Sequence, residues 1–337
     1  MIFKGVTLLS HNQYVYLLVS SHTRRCPFLS SSQPWTSVRV RCSNLNKVVV
    51  NATGPVSDTL RQMATPSVPK RMRHSKGAHI LLPLEVFPTK DALLIPKTED
   101  GRVLSAVPWG GRLLVGTTDE EIDADAELVV TDKDIEYLLR HINHYLTRPV
   151  TPADVVSGFA GARPLIASGD QDSTKELARD DEIEIDDESH LISIMGGKWT
   201  THRAMAEDSI NAVQEAAGIA RTESLTRNHV LYGGEGFTDN YWKRLVRQFH
   251  ISDETAHHLS CKFGIAAESI LRLTADNAEL AEPMVAGYPA IKAEVIYAVR
   301  QEMAVTIEDV LARRIGLQMY SWRDAIDAAP VVGWLMA

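Results

Sequence analysis

The sequence predicts an α/β (α+β) chain in which an antiparallel sheet comes first and an all-helical C-terminal domain follows. Three observations carry that expectation. Short β-branched runs separated by turn residues fill residues 48–119. After Gly197 the apolar period lengthens from that of a strand to that of a helix. Beyond Gly218 the chain is almost wholly helical, with glycine stops between segments. These shifts divide the 337 residues into an atypical N-terminal segment, 1–46, an α/β part, 47–220, and a helical domain, 221–337.

VVVNATG (48–54) is a β-branched run closed by a tight glycine, hence a buried strand and turn. HILLPLEVF (79–87), DALLIPK (91–97), GRVLSAVPW (101–109) and RLLVGTTD (112–119) form an antiparallel meander. The first clear helix is TDKDIEYLLRHINHYL (131–146). Thr131 caps it, Asp134 stands at the capping-box position, and Ile135, Leu138, Leu139, Ile142 and Leu146 share one face. DEIEIDD turns at Glu188-Ser189 into HLISIMGG, a hairpin. Ile183 and Ile185 alternate with the carboxylates of the acidic run 180–188, which makes that run a solvated strand face rather than a metal site. HRAMAEDSINAVQEAA (202–217), AHHLSCKF (256–263), AESILRLTA (267–275), IKAEVIYAVRQEMA (291–304) and TIEDVLARR (306–314) are helices, the last with Thr306 as cap.

With 45% apolar and 23% charged residues the chain has the makings of a folded core. Its net charge of −8 argues against a nucleic-acid binder but leaves room for a locally basic cleft. Cys26, Cys42 and Cys261 match no metal or redox spacing, which points to a reducing compartment without disulfides. No apolar run reaches the ~18–20 residues of a membrane span. Residues 1–46 are rich in Ser and Arg without a sustained period, and His11, Asn12 and Gln13 break what would otherwise be a leader-like start.

Three places carry chemistry. In LISIMGGKWTTHRAMAE (191–207) a strand meets a helix through Gly196, Gly197 and Lys198, with Thr200 and Thr201 following. Glycines allow close approach of a flat ligand, and the free amides of a helix start, beside a lysine, favour negative charge. An ordinary strand–helix turn with a solvent-facing lysine has the same pattern. In SGFAGARPL (157–165), Arg163 sits in an otherwise apolar segment and needs an anionic partner, either a bound phosphate or carboxylate or a structural carboxylate. His79 enters a strand in KGAHILLP, either as a structural histidine or as a proton acceptor in a cleft.

Taken in order, VVVNATGPVSD, GAHILLP, DGRVLSAVPW, LVGTTD, DVVSGFAGARPL, ARDDEI, SIMGGKWTTHRAMAED and YAVRQEMAVTIEDVLARR resemble the FAD-dependent, quinone-linked (aerobic) glycerol-3-phosphate dehydrogenases, from Val48 to Ala329. The resemblance implies a flavoprotein fold, a substrate-domain sheet with part of the FAD domain, and a helical C-terminal domain. It places Ala52, Thr53 and Gly54 beside FAD, and Gly196, Gly197, Lys198 and Thr200 at the pyrimidine end of the ring. It gives Arg163 and Arg179 to the substrate, and His79 to the same pocket. The implied reaction is oxidation of sn-glycerol 3-phosphate to dihydroxyacetone phosphate, the C2 hydride passing to the flavin and the electrons to quinone. His79 is favoured as base, with Arg163 polarising the oxygen and Lys198 beside the ring. The implied location is cytoplasmic, peripheral on the inner face of a membrane.

The sequence also departs from the family. No G-x-G-x-x-G turn occurs in it, Gly233, Gly234 and Gly236 precede no suitable helix, and Val56 replaces a common aromatic. Residues 1–46 do not resemble the family's dinucleotide-binding half, and relatives continue past WLMA. The expectation is an incomplete chain that, purified alone, carries no stoichiometric flavin and no glycerol-3-phosphate oxidation. Its companion would be a complementing N-terminal half or a second copy in a homodimer. The competing expectations are a related flavin-dependent amino-acid or amine oxidase, and a non-catalytic remnant or one subunit of a split enzyme.

Overall fold

A computed structural model describes residues 6–11, 14–19, 48–146, 148–167 and 180–337, the first two stretches as backbone. The chain divides into two compact units, one of residues 1–77, 119–128 and 161–227, the other of residues 78–118, 129–160 and 228–337. In chain order the first elements are β1 (Val6–His11), β2 (Tyr14–Val19), β3 (Val49–Asn51), α1 (Ser57–Ala64) and β4 (Met72–Pro83). Next come β5 (Leu93–Ile95), β6 (Leu104–Trp109), β7 (Arg112–Gly116), β8 (Glu120–Ile122) and α2 (Asp132–Ile142). They are followed by β9 (Ser157–Ile166), β10 (Asp181–Ile185), β11 (Leu191–Gly196) and α3 (His202–Ala216). The helical remainder holds α4 (Tyr241–Phe249), α5 (Asp253–Phe263), α6 (Ala267–Arg272), α7 (Lys292–Gln301), α8 (Leu317–Tyr320) and α9 (Trp322–Met336). A π-helical turn, Asp309–Arg314, precedes α8.

The first unit contains a five-stranded sheet in the order β1-β2-β3-β11-β10. Residues 1–46, expected to lack a regular period, contribute its antiparallel β1–β2 pair, in which His11 stands opposite Tyr14. β2, YVYLLV, is a continuous apolar run and β1, VTLLSH, mixes apolar and polar residues, so neither shows the strict alternation that identifies a half-exposed strand. The pairs β1–β2, β2–β3 and β10–β11 are antiparallel, but β3 and β11 run parallel, with Val49, Val50 and Asn51 opposite Leu191, Ile192 and Ser193. Val50 and Ile192 of that parallel pair pack with Val213 of α3 in one small core.

The acidic run is partly exposed, as expected of a solvated face, and its strand carboxylates also pair with arginines. Arg61, only 4% exposed, donates to Asp58 Oδ1 (2.7 Å) and to Glu184 Oε1 (2.6 Å). Arg71 bridges Glu182 (2.7 Å) and Glu184 (2.8 Å). Asp58 Oδ2 also accepts the amides of Arg71 and Met72. The alternation along β10 holds, and its half-exposed carboxylates meet arginines from α1 and from the residue just before β4. Such partners are remote in sequence. No group of three metal-binding side chains occurs among the described residues. At the hairpin end, Asp186 accepts from Ser189 and from Thr65.

Strand β4 runs from residue 72 to 83, earlier at both ends than the expected 79–87. Its polar beginning, Met72-Arg-His-Ser-Lys, is legible as strand only once its cross-strand partners are known. In the first unit His74, Ser75 and Lys76 pair with Ile122, Glu121 and Glu120 of β8, and Arg73 and Lys76 meet Glu121 and Glu120 there. Pro83 closes the strand, since it offers no amide to continue the ladder.

In the second unit the predicted meander is present, β5-β6-β7-β4, with His79 to Pro83 opposite Gly116 to Arg112. Ile80, Leu82, Leu104, Leu113 and Val115 meet Leu138 and Ile142 of α2 in one core. The expected capping box starts α2: Thr131 Oγ1 accepts from the Asp134 amide, and Asp134 accepts in return from the Thr131 amide. The helix ends at Ile142, short of the predicted Leu146. Ser252 and Ser321 cap α5 and α9 in the same way as Thr131, and Thr306 accepts from the Asp309 amide as expected.

Glu294 ties the helical part together. It is 1% exposed, at the start of α7, and its carboxylate meets His258 Nε2 (3.0 Å) and Lys262 Nζ (2.9 Å), one turn apart on α5, and the Ile291 amide (3.0 Å). Burial alone would raise its pKa, but the His258 hydrogen bond and the Lys262 charge bring it below the ordinary 4.5.

Two predictions concern these groups. Glu294→Ala leaves Lys262 and His258 without their acceptor and is expected to cost about 3 kcal/mol in denaturant unfolding; a loss under about 1 kcal/mol would show the cluster to be incidental. Asp186 is held down to about 2 by the Ser189 and Thr65 hydrogen bonds. Because its folded pKa is depressed, its contribution is present above the ordinary 3.8 and is lost as pH falls through about 2. A carboxyl-carbon NMR titration should give a midpoint near that value, and one near 3.8 would contradict the hairpin-end bonds.

Candidate functional site

The site begins at one buried amide. Asn51, fully buried at the end of β3, uses every hydrogen-bonding position it has. Its Nδ2 donates to the Ser57 carbonyl (3.0 Å) and to Ser193 Oγ of β11 (3.1 Å). Its Oδ1 accepts from Thr53 Oγ1 (2.7 Å) and the Thr53 amide (3.4 Å). One side chain therefore joins the ends of two parallel strands, shapes the turn 51–54 and anchors the first turn of α1. Neither Asn51 nor Ser193 was among the residues expected to matter. The signal available in the sequence was an Asn two positions before a Thr at a strand end, a side-chain-made turn.

Because β3 and β11 are parallel neighbours, both strand ends open onto the same sheet edge, where ligands of α/β folds sit. From β3 the chain passes Ala52, exposed, and Thr53, buried, to Gly54, whose φ of +59° opens a side where an added Cβ would meet nothing within 4 Å. From β11 it passes Gly196 (φ +66°) and Gly197 (φ +84°). Here the glycines are demanded by the protein itself: a Cβ on Gly196 would lie 2.7 Å from the Asp180 carbonyl, and one on Gly197 2.3 Å from Met205 Cε. Lys198 follows, half exposed and 3.5 Å from Asp180, then Trp199, stacked on His202 at 5.3 Å, and Thr200, exposed. Both α1 and α3 start at this edge without a side-chain cap, in contrast to α2, α5 and α9. Each of the two continues from a 3-10 turn, Gly54–Val56 and Trp199–Thr201, whose carbonyls accept the Ser57 and His202 amides, so it is the positive end of the turn and helix together that favours negative or electron-rich groups.

Elsewhere in the first unit Arg163 extends from β9. Its Nη1 lies 3.5 Å from Asp119 Oδ1 and 3.3 Å from Ser75 Oγ, and Ser75 donates a short hydrogen bond to the same carboxylate. Asp119 is thus the carboxylate partner that Arg163 required on sequence grounds, at long range for an ion pair. Arg179 lies outside the described residues.

His79 belongs to the second unit. It is half-buried on β4, stacks on Phe159 (centroids 5.0 Å, planes 11° apart), and covers Gly116, where a Cβ would come within 2.1 Å of its ring. Packing on two sides fixes the plane of the imidazole. So Ala52, Thr53, Gly54, Gly196, Gly197, Lys198, Thr200 and Arg163 lie in the first unit, and His79 in the second.

Residues 25–207 match the family model described as FAD dependent oxidoreductase, and residues 224–337 match the C-terminal domain of alpha-glycerophosphate oxidase. A Dictyostelium discoideum protein named "Probable glycerol-3-phosphate dehydrogenase, mitochondrial" is 36% identical over 300 residues, covering 86% of this chain and 47% of its own length. Human mitochondrial glycerol-3-phosphate dehydrogenase is 32% identical, over 93% of this chain and 42% of its own. The solved glycerol-3-phosphate dehydrogenase of Bacillus halodurans, in complex with FAD, superposes with a TM-score of 0.69 at 30% identity, over 86% of this chain and 59% of that one. The chain spans less than half the length of these curated relatives.

Asn51→Ala strands the Ser193 hydroxyl and unsupports the 51–54 turn, and is expected to cost about 2–3 kcal/mol. Urea unfolding of the variant measures it, with Ser193→Ala losing less because Asn51 keeps three of its bonds; equal losses would sink the assignment of Asn51 as the hub.

Proposed function

Because the chain belongs to the FAD-dependent oxidoreductase family, among the glycerol-3-phosphate dehydrogenases, we propose that it contributes the substrate and flavin-ring side of a site that oxidises sn-glycerol 3-phosphate to dihydroxyacetone phosphate. The observation that supports this most is the sheet edge where β3 and β11 end together, with two helix starts, an open Gly54 and Lys198. That edge fits the electron-rich pyrimidine side of a flavin ring, which gains negative charge on reduction. FAD, when bound, supplies the acceptor for the substrate hydride.

The remaining roles fall to the chain's own residues. Ala52, Thr53 and Gly54 border the ring on one side, and Gly196, Gly197, Lys198 and Thr200 on the other, Lys198 offsetting negative charge there. Arg163, steadied by Asp119 and Ser75, polarises the substrate C2 oxygen. The family resemblance gives Arg179 to the substrate phosphate and makes His79 the acceptor of the hydroxyl proton, at a ring nitrogen whose plane is set by Phe159 and Gly116.

Passage of electrons to quinone, and a peripheral seat on the inner, cytoplasmic face of a membrane, follow from the same resemblance; the curated relatives are named as mitochondrial. No helix among the described residues is long and apolar enough to cross a membrane. The sequence holds no G-x-G-x-x-G turn, so we assign retention of the FAD pyrophosphate to a complementing dinucleotide-binding half.

The test combines the chain with FAD and a separately expressed dinucleotide-binding half from a relative, and follows reduction of a quinone analogue. Turnover of sn-glycerol 3-phosphate, and not of glycine or sarcosine, is expected. Oxidation of the amino acids instead would make the chain an amino-acid oxidase, and no turnover of either would overturn the proposal. Arg163→Lys, which forfeits the planar fork, is expected to lower kcat/KM by about 10–100-fold.

A further inference from the structure

The helical part of the second unit contains an open cavity of about 610 Å³, within the range of small-molecule sites. Its lining includes Thr238, Asn240, Tyr241, Arg244, Arg247 and Glu268. The wall is built rather than incidental. Tyr241 is 7% exposed and donates its hydroxyl to Glu268 Oε1 (2.7 Å). The same carboxylate takes Arg244 Nη2 at 3.0 Å and Arg272 Nη2 at 3.4 Å. Burial and the Glu268 bond push the Tyr241 phenol up to about 12, so it stays a donor. The negative charge of Glu268 is thereby balanced by two guanidinium groups before any ligand arrives.

Arg247, one turn further along α4, is in a different situation. Its Nε donates to the Lys243 carbonyl (3.2 Å), and no carboxylate among the described residues pairs with it. In a chain of net charge −8 an arginine facing a cavity with no acid paired to it is informative. At the same mouth, Asn240 begins α4 without using its side chain as a cap. The Thr238 hydroxyl has no hydrogen-bond partner among the described residues either. Arg247, Asn240, Thr238 and Glu235 are all exposed on this open lining, and Glu235 puts one carboxylate at the same mouth.

We propose that this cavity binds a small organic oxyanion, a phosphate or a carboxylate, held by charge-assisted hydrogen bonds from Arg247 with Asn240 and Thr238 as neutral partners. The preformed Tyr241–Glu268–Arg244 wall limits the ligand to a compact one, and Ile265 offers a single apolar contact for its carbon skeleton. The site is independent of the proposed oxidation and of any flavin.

The experiment titrates the full chain at low ionic strength with inorganic phosphate and, in a second arm, with malonate. It follows heat and the arginine Nε–H resonances. One saturable site is expected in at least one arm, and the arm that saturates identifies the head group. Arg247→Gln should weaken it at least about tenfold without moving the unfolding temperature, because its guanidinium makes only the Lys243 contact. Arg313→Gln, an arginine already paired with Glu308 and Asp309, should leave affinity unchanged. No saturable binding, or equal binding by Arg247→Gln, would overturn the proposal. So would a response that tracks ionic strength alone, the mark of an adventitious ion only.

Discussion

The first unit depends on the carboxamide of Asn51. An asparagine has two donors and two acceptor positions, and here all four are filled from three separate stretches of chain: Thr53 beside it, Ser57 at the head of α1, and Ser193 on β11. A buried amide left partly unsatisfied costs more than its bonds return. The arrangement therefore admits one register between β3 and β11, the one observed. That register brings the NATG turn and the Gly-Gly-Lys turn to the same edge. Without it the glycines and the lysine would still exist, but on strand ends that do not meet.

Around this hub, charge is buried only in company. Arg61 engages Asp58 and Glu184 together, and Arg71 engages Glu182 and Glu184. In the second unit Glu294 is held by a histidine and a lysine from one face of α5. Paired charges of this kind need not exceed an apolar core in stability, but breaking one is costly, so they select a single packing. The networks tie elements far apart in sequence: α1 and the start of β4 to β10 in one unit, α5 to α7 in the other. The uncapped starts of α1 and α3 contrast with the capped α2, α5 and α9. Where a helix start lacks a side-chain acceptor beside strand ends, its dipole remains available to a ligand.

His79 illustrates how a candidate catalytic side chain is held by shape. The ring lies between Phe159 and the bare backbone of Gly116, a position no residue with a Cβ could occupy without moving it. A histidine whose plane is fixed can present one nitrogen reproducibly, which acid–base work requires. Gly116 is in this sense as specific as the histidine itself. Its sequence context, LVGTTD, gave no hint of the reason.

The sequence by itself determined the local features. The capping box of α2, the Gly264 stop of α5, the β10–β11 hairpin and the helical C-terminal part were all legible, because each is specified within a few residues by periodicity and capping chemistry. The ordered set of motifs was enough to indicate the family. Tertiary structure alone decided the rest. It gave the polar start of β4 its partners on β8, and it gave the carboxylates of the half-exposed acidic strand their arginine partners. It also joined Asn51 to Ser193, 142 positions away, and matched Asp119 to Arg163. The physical reason is common to all four. A polar side chain records in sequence only that it needs a partner, and the fold alone says which one it gets.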